Sequence, residues 1–185
     1  AEKSLLSLDL HPAKAMNVNV GADSNLSSEL DKGYFAIANN SWADAAISFQ
    51  KLAARMPGDS AVFNNYGLSL LQRAIQMAKD EDESIQLMAA SQFESAILAL
   101  REAAKAAPNE AIILLNLSHA LLVSGRAEKA LKIIQVHNSN NPSSIEGINL
   151  EAAALVSLGQ SVSAKNKLSM VEGDLIVEEN LSRLL

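Results

Sequence analysis

"LLVSGRAEKALKII", residues 121–134, is the stretch whose reading decides the fold. An apolar run of helix formers stops at Gly125, and a second run begins behind it with Ala130 five places on. Glycine is tolerated where the backbone turns left-handed, so Gly125 reads as the turn between two helices. A small residue at Ala130, with bulky Ile134 one helical turn later, suits a second helix pressing on the first, where a larger side chain would push the pair apart.

Working outward, the same pattern recurs at fixed intervals. Pro57, Pro108 and Pro142 each follow a helical run, at steps of 51 and 34 residues. Small residues at Gly33, Gly67, Ser118 and Ala152 are 34, 51 and 34 apart. A second set, Ala45, Ala96, Ala130 and Ala164, steps by 51, 34 and 34, and four places beyond each stands Phe49, Leu100, Ile134 or Leu168. The long step is the unit of 34 plus 17 further residues, "AIQMAKDEDESIQLMAA" at 74–90. That insertion has no proline or glycine and carries good helix formers on both sides of "KDEDES". It predicts two lengthened helices, about two turns each, joined at an acidic tip of Asp80, Glu81, Asp82 and Glu83.

A 34-residue unit of two antiparallel helices, small where they cross and closed by a proline, resembles the tetratricopeptide repeat family. Residues 111–142 carry the likeness best, through "LNLSHALLVSGRAEKALKII". Asn40 and Ser91 stand where the first two repeats would have the turn glycine. The resemblance implies an all-α fold: a right-handed superhelix of about four helix pairs over residues 27–172, with an elongated second hairpin. "GDLIVEENLSRLL", residues 173–185, reads as a capping helix that lays Leu175, Ile176, Leu181 and Leu184 on the last repeat, with Glu178, Glu179 and Arg183 outward. Residues 1–26 mix Pro, Gly, Asn and Asp without a helical period and read as a flexible linker. "SLLSLDL" within them is apolar enough to dock as a short arm, although termini more commonly remain mobile.

Composition narrows the function. Of 185 residues, 49% are hydrophobic and 4% aromatic, so the core is one of Ala, Leu, Ile and Val. The net charge of −6, from 15 basic and 21 acidic residues, comes without the basic stripe of a nucleic-acid binder. No apolar run approaches the length of a membrane span. There are no cysteines, and His11, His119 and His137 have no second ligand at a helical spacing, so no metal or other cofactor is expected. No phosphate-binding glycine loop or nucleophile elbow is present, and the chain is read as non-catalytic. It opens at Ala1 rather than Met, which leads us to expect a processed form or fragment that has lost any signal peptide or lipid-attachment residue.

Binding is the remaining class. The family resemblance implies a concave groove lined by first helices, holding a protein or peptide segment. The groove places fall on Tyr34, then Asn64, Asn65, Leu68 and Gln72, then Leu115, Asn116, His119 and Val123, and then Asn149, Ala153 and Ser157. Asn65 and Asn116 are 51 apart and therefore equivalent, and a repeated carboxamide can donate to and accept from a ligand main chain. Lysines and arginines that would clamp a free carboxylate are missing from these places. An apolar partner segment, or the chain's own N-terminal arm, fits better. Length, leading tail and repeat number also resemble small bacterial tetratricopeptide lipoproteins of pilus or secretion assembly, such as those of tight-adherence pili and the type IV pilotins. They point to a periplasmic or outer-membrane-associated adaptor. The alternatives are a cytosolic chaperone for secreted subunits and a structural homo-oligomer.

Overall fold

The computed structural model describes residues 7–185. They form nine α-helices and no strand: α1 Ser24–Ala38, α2 Trp42–Arg55, α3 Ser60–Ala78, α4 Glu83–Ala106, α5 Ala111–Val123, α6 Ala127–Asn140, α7 Ile145–Ser157, α8 Ser161–Leu168 and α9 Leu175–Leu184. Side chains of Asp23, Asp59, Asp82, Ser144 and Asp174 accept first-turn N–H groups and set where α1, α3, α4, α7 and α9 begin. The chain divides into two compact units, Lys14–Asn116 and the residues up to Ala13 together with Leu117–Leu185.

In the Lys14–Asn116 unit, α1 packs on α2, α2 on α3 and α3 on α4. The repeating small residues stand where the helices meet. A Cβ on Gly33 would lie 2.8 Å from Phe49, and one on Gly67 would lie 2.6 Å from Leu100, so only glycine lets these pairs close. Ala45, Phe49, Ala96 and Leu100 are all fully buried opposite them. Asn40 turns the chain between α1 and α2 with a positive φ of 55°, a conformation asparagine tolerates. Ser91, in contrast, lies inside α4. The insertion has moved that turn to residues 79–82 and made α3 and α4 19 and 24 residues long, against 13 and 14 for α5 and α6. Ala74, Met77 and Ala89 are buried within the hairpin, whereas Leu87 and Met88 are 82% and 54% exposed.

In the other unit α6 packs on α7, α7 on α8 and α8 on α9. Ser118 and Ala152 are fully buried, as are Ala130, Ile134, Ala164 and Leu168. The Ser118 hydroxyl donates to the carbonyl of Ala130 at 2.9 Å, which ties α5 to α6 at the predicted crossing. Gly125 turns the chain at a φ of 88°. In the cap, Leu181 and Leu184 pack on the core as expected, with Glu178, Glu179 and Arg183 exposed, but Leu175 departs from expectation. Leu175 is 82% exposed, and Val177 and Asn180 are the fully buried side chains of α9. Helix α9 starts only after the Asp174 cap, which points Leu175 away and turns Val177 onto Ala152, Leu168 and their neighbours.

The linker expected over residues 1–26 also differs. Its last residues, from Ser24, already belong to α1. Residues 7–20 contain no helix, yet they are held: Leu8 and Leu10 pack with the α7–α9 core, and Val18 and Val20 with Leu30, Phe49, Leu52 and Val62. From Ser7 to Leu10 and from Met16 to Gly21, buried or half-buried residues alternate with exposed ones, the pattern of extended chain. Part of "SLLSLDL", residues 4–6, lies outside the described residues.

Candidate functional site

Asn64 and Asn65 lie in the second turn of α3 and are fully buried. Asn65 Oδ1 accepts the main-chain N–H of Met16 at 2.7 Å, and its Nδ2 donates to the carbonyl of the same residue at 2.8 Å. Asn116 treats Lys14 alike, accepting its N–H at 3.0 Å and donating to its carbonyl at 2.7 Å. The N–H and C=O of one residue in extended chain point the same way, so a single carboxamide bridges both, as a neighbouring strand would.

Each clamp has a support. Asn64 Nδ2 donates a second bond to the Lys14 carbonyl at 3.1 Å, while its Oδ1 accepts from Asn116 at 2.9 Å. Tyr34 supports the Asn65 clamp: its hydroxyl donates to the Met16 carbonyl at 2.6 Å and accepts the Val18 N–H at 3.0 Å. Burial raises the Tyr34 pKa above its ordinary value, which keeps the phenol protonated and able to donate. An edge-on contact with Phe49, ring centres 5.8 Å apart, holds the ring in place.

The second unit builds the same arrangement from α7 and α9. Asn180 accepts the Asp9 N–H at 2.8 Å and donates to the Asp9 carbonyl at 2.9 Å. Asn149 adds a second bond to that carbonyl at 2.8 Å and accepts from Asn180 at 2.8 Å. Asn149 and Asn180 are fully buried. Around them lie charges: Arg183 donates to the Asp9 carboxylate at 2.9 Å, and His11 Nε2 lies 3.1 and 3.0 Å from the two Asp174 oxygens.

The expected site residues thus separate. Tyr34, Asn64, Asn65, Asn116 and Asn149 contact the N-terminal arm directly. Leu68 is buried, Gln72 and Leu115 are half-buried, and Val123 is exposed. His119 is buried, and desolvation lowers its pKa to about 4, which makes it a neutral imidazole. Asn180, Arg183, His11 and Asp174 were missed by sequence reasoning. Spacing holds a signal for the first: Asn180 follows Asn149 by 31 residues, as Asn65 follows Tyr34. No group of three His, Asp or Glu side chains among the described residues is placed to hold a metal ion. Nor is any described helix long and apolar enough to cross a membrane.

Helix pairs packed at a repeating interval, with side-chain amides that grip the chain's own extended N-terminal arm, define a helical-repeat protein. Residues 87–165 match the family model "Tetratricopeptide repeat". Among solved structures the chain resembles TTC0263, a thermophilic tetratricopeptide repeat protein of Thermus thermophilus. The TM-score is 0.72 at 15% identity, over 87% of this chain and 81% of that one. It also resembles a tetratricopeptide repeat protein of Parabacteroides merdae, with a TM-score of 0.65 at 15% identity, over 88% of this chain and 59% of that one. The chain therefore spans about three fifths of the second relative's length. No curated protein matches it. The likeness to these structures is one of fold.

Proposed function

We propose that this protein is a non-catalytic adaptor whose repeats take hold of an extended segment of a partner protein, and that residues 7–20 are the resident occupant which the partner replaces. The supporting observation is the nature of the grip. Asn65, Asn116 and Asn180 each bond both main-chain groups of one arm residue and read its shape rather than its side chain. A different extended segment can make the same bonds. Main-chain bonding then cancels in the exchange, and affinity is decided by side chains and by the advantage of the tethered arm. A tethered competitor acts at an effective concentration on the order of millimolar. It lowers the apparent affinity by the fraction of molecules with an open site.

That competition dictates the test. Substituting the asparagines alone weakens resident and incomer together and can leave uptake unchanged, so the arm must be loosened first. Lys14→Pro with Met16→Pro removes both N–H donors from the arm and leaves the repeats untouched. Fluorescence anisotropy with a labelled peptide of residues 14–22 should show at least ten-fold tighter uptake by this full-length variant than by the parent. Adding Asn65→Ala and Asn116→Ala should abolish it. Unchanged uptake at either step refutes the reading.

The arm of a second copy would make identical bonds, which favours a swapped homo-oligomer as the second reading. A doubling of mass in a light-scattering concentration series distinguishes it. For the adaptor we favour a setting in bacterial pilus or secretion assembly, on the periplasmic or outer-membrane side. The likeness in length, leading tail and repeat number supports that setting. Fractionation of cells making the natural protein tests the placement.

A further inference from the structure

The two units do not hold the arm by the same means. In the Lys14–Asn116 unit the occupant is gripped by main chain and by the aliphatic Val18 and Val20. In the other unit side chains are read as well. Leu8 is buried against Ala152, Val156 and Val177, and Leu10 packs beside it. Between them Asp9 turns its carboxylate to Arg183 Nη2 at 2.9 Å, while Arg183 Nη1 reaches the Ser7 carbonyl at 3.3 Å. Two residues on, His11 meets both oxygens of Asp174. Helix α9 therefore presents an acid at its first cap and a cation in its last turn, matched in order to a base and an acid on the arm.

We propose that α9 is a selectivity element: Arg183 and Asp174 choose an occupant that carries, in N-to-C order, an apolar residue, an acid, an apolar residue and a cationic donor. This rests on the reading that the arm is a replaceable occupant, and it names the chemistry of the segment that replaces it. Alternation in extended chain places the two apolar residues on one face and the charged pair on the other. A segment running in the opposite direction would bring acid to Asp174 and base to Arg183, so the two charges set direction as well as composition.

The arm is also not the best occupant of its own site. His11 Nδ1 is buried without a hydrogen-bond partner, because it is the ring's other nitrogen that faces Asp174. A buried polar atom left unpaired is costly. Lysine or arginine at this position would pair with Asp174 and has no acceptor to orphan. A partner bearing the quartet with a terminal Lys or Arg should therefore outcompete the arm at this unit.

The test uses the full-length chain with Asp9→Pro, which removes the N–H held by Asn180 and the carboxylate held by Arg183 and so frees this site. Three labelled peptides of residues 7–13 serve as probes: the natural sequence, one with His11→Arg, and one with Asp9 and His11 interchanged. The arginine peptide should bind a few-fold tighter than the natural one, and the interchanged peptide on the order of ten-fold weaker, as suits partly exposed ion pairs. Adding Arg183→Glu to the host should invert the preference at the position of Asp9, so that Asp9→Lys in the peptide now binds better. Equal binding of all three peptides, or no inversion, overturns the selectivity of α9 while leaving the main-chain grip intact. Failure of every peptide to bind overturns both readings.

Discussion

Asn116→Ala separates holding the arm from holding the fold. The substitution removes three hydrogen bonds: the one accepted from the Lys14 N–H at 3.0 Å and those donated to the Lys14 carbonyl at 2.7 Å and to Asn64 Oδ1 at 2.9 Å. Two of these are made to the arm, and at a net value of about 1 kcal/mol each the docked arm loses about 2 kcal/mol, while the third is lost between α5 and α3. The Lys14 carbonyl keeps its bond from Asn64, which limits the damage on that side. Most of the loss falls on the arm, because two of the three bonds are made there and α3 and α4 are packed independently by Gly67, Ala96 and Leu100. Amide hydrogen exchange followed by NMR reads this directly. Exchange at Lys14 should accelerate about 30-fold, the factor equivalent to ~2 kcal/mol, with Met16 following part of the way. Amides of Leu68 and Leu71 in the middle of α3 should keep their protection. Asn39→Ala is the control, since its Nδ2 bonds only within its own helix, to the Phe35 carbonyl at 2.7 Å. Unchanged exchange at Lys14, or equal acceleration at Leu68 and Leu71, would show that the asparagine serves the fold and not the arm.

Three further outcomes follow from packing and charge. Gly67→Ala places a Cβ 2.6 Å from Leu100 Cγ and 3.3 Å from the Ala96 carbonyl oxygen, so the helices must part. Overpacking of about 1–3 kcal/mol, offset by about 1 kcal/mol of helix propensity, should lower the urea midpoint, and a midpoint that stays or rises contradicts the crossing geometry. Burial lowers the His119 pKa to about 4, so the unfolded chain takes the proton first as pH falls. Stability is full above the unfolded value near 6.5 and should decline by about 3 kcal/mol towards pH 4. His119→Leu should flatten that part of the profile, and parallel urea-unfolding curves for the two proteins would rule the effect out. Deleting residues 74–90 removes the buried Ala74, Met77 and Ala89 of the lengthened hairpin and should leave a cooperative helical fold by circular dichroism. A chain without a sharp thermal transition would mean that the lengthened hairpin is needed for folding.

The repeat was legible because packing forces its signature onto both helices of every pair. Gly33, Gly67, Ser118 and Ala152 must be small for the same reason that Ala45, Ala96, Ala130 and Ala164 must be, and two registers with one offset leave few other folds. The acidic turn at 79–82 was legible because helix formers flank it without interruption. The docking of residues 7–20 was not. Poor helix formers such as Asn17, Asn19 and Gly21 look alike in a free linker and in an extended occupant. The grip, moreover, lies in distant side chains and acts on main-chain atoms that every sequence shares. The visible trace was the alternation at Leu8 and Leu10 and at Val18 and Val20, too short to distinguish from chance. Asn65 and Asn116 stood out because they are 51 apart, and Asn64 and Asn149 because the family resemblance puts them on the groove. Asn180 escaped because α9 was read as an apolar lid, and the same reading wrongly laid Leu175 on the core.

Five asparagines no more than 1% exposed would be a poor choice for a permanent core, where a carboxamide adds less than a well-packed aliphatic side chain and is punished if left unpaired. Their burial here has a different origin, since the covering element is a segment without helix or strand, bonded largely through its main chain. When such a cover lifts, water replaces each lost bond, and the amides pass from one set of partners to another without an orphaned state. A leucine at the same places would favour the closed form more strongly and would leave an exposed apolar patch once opened. On the proposed exchange of occupants, asparagine therefore suits a site that must be tolerable both open and filled. On the same proposal, discrimination between occupants falls where the main chain is silent: at Leu8 and Leu10 in their apolar seats and at the two charges of α9.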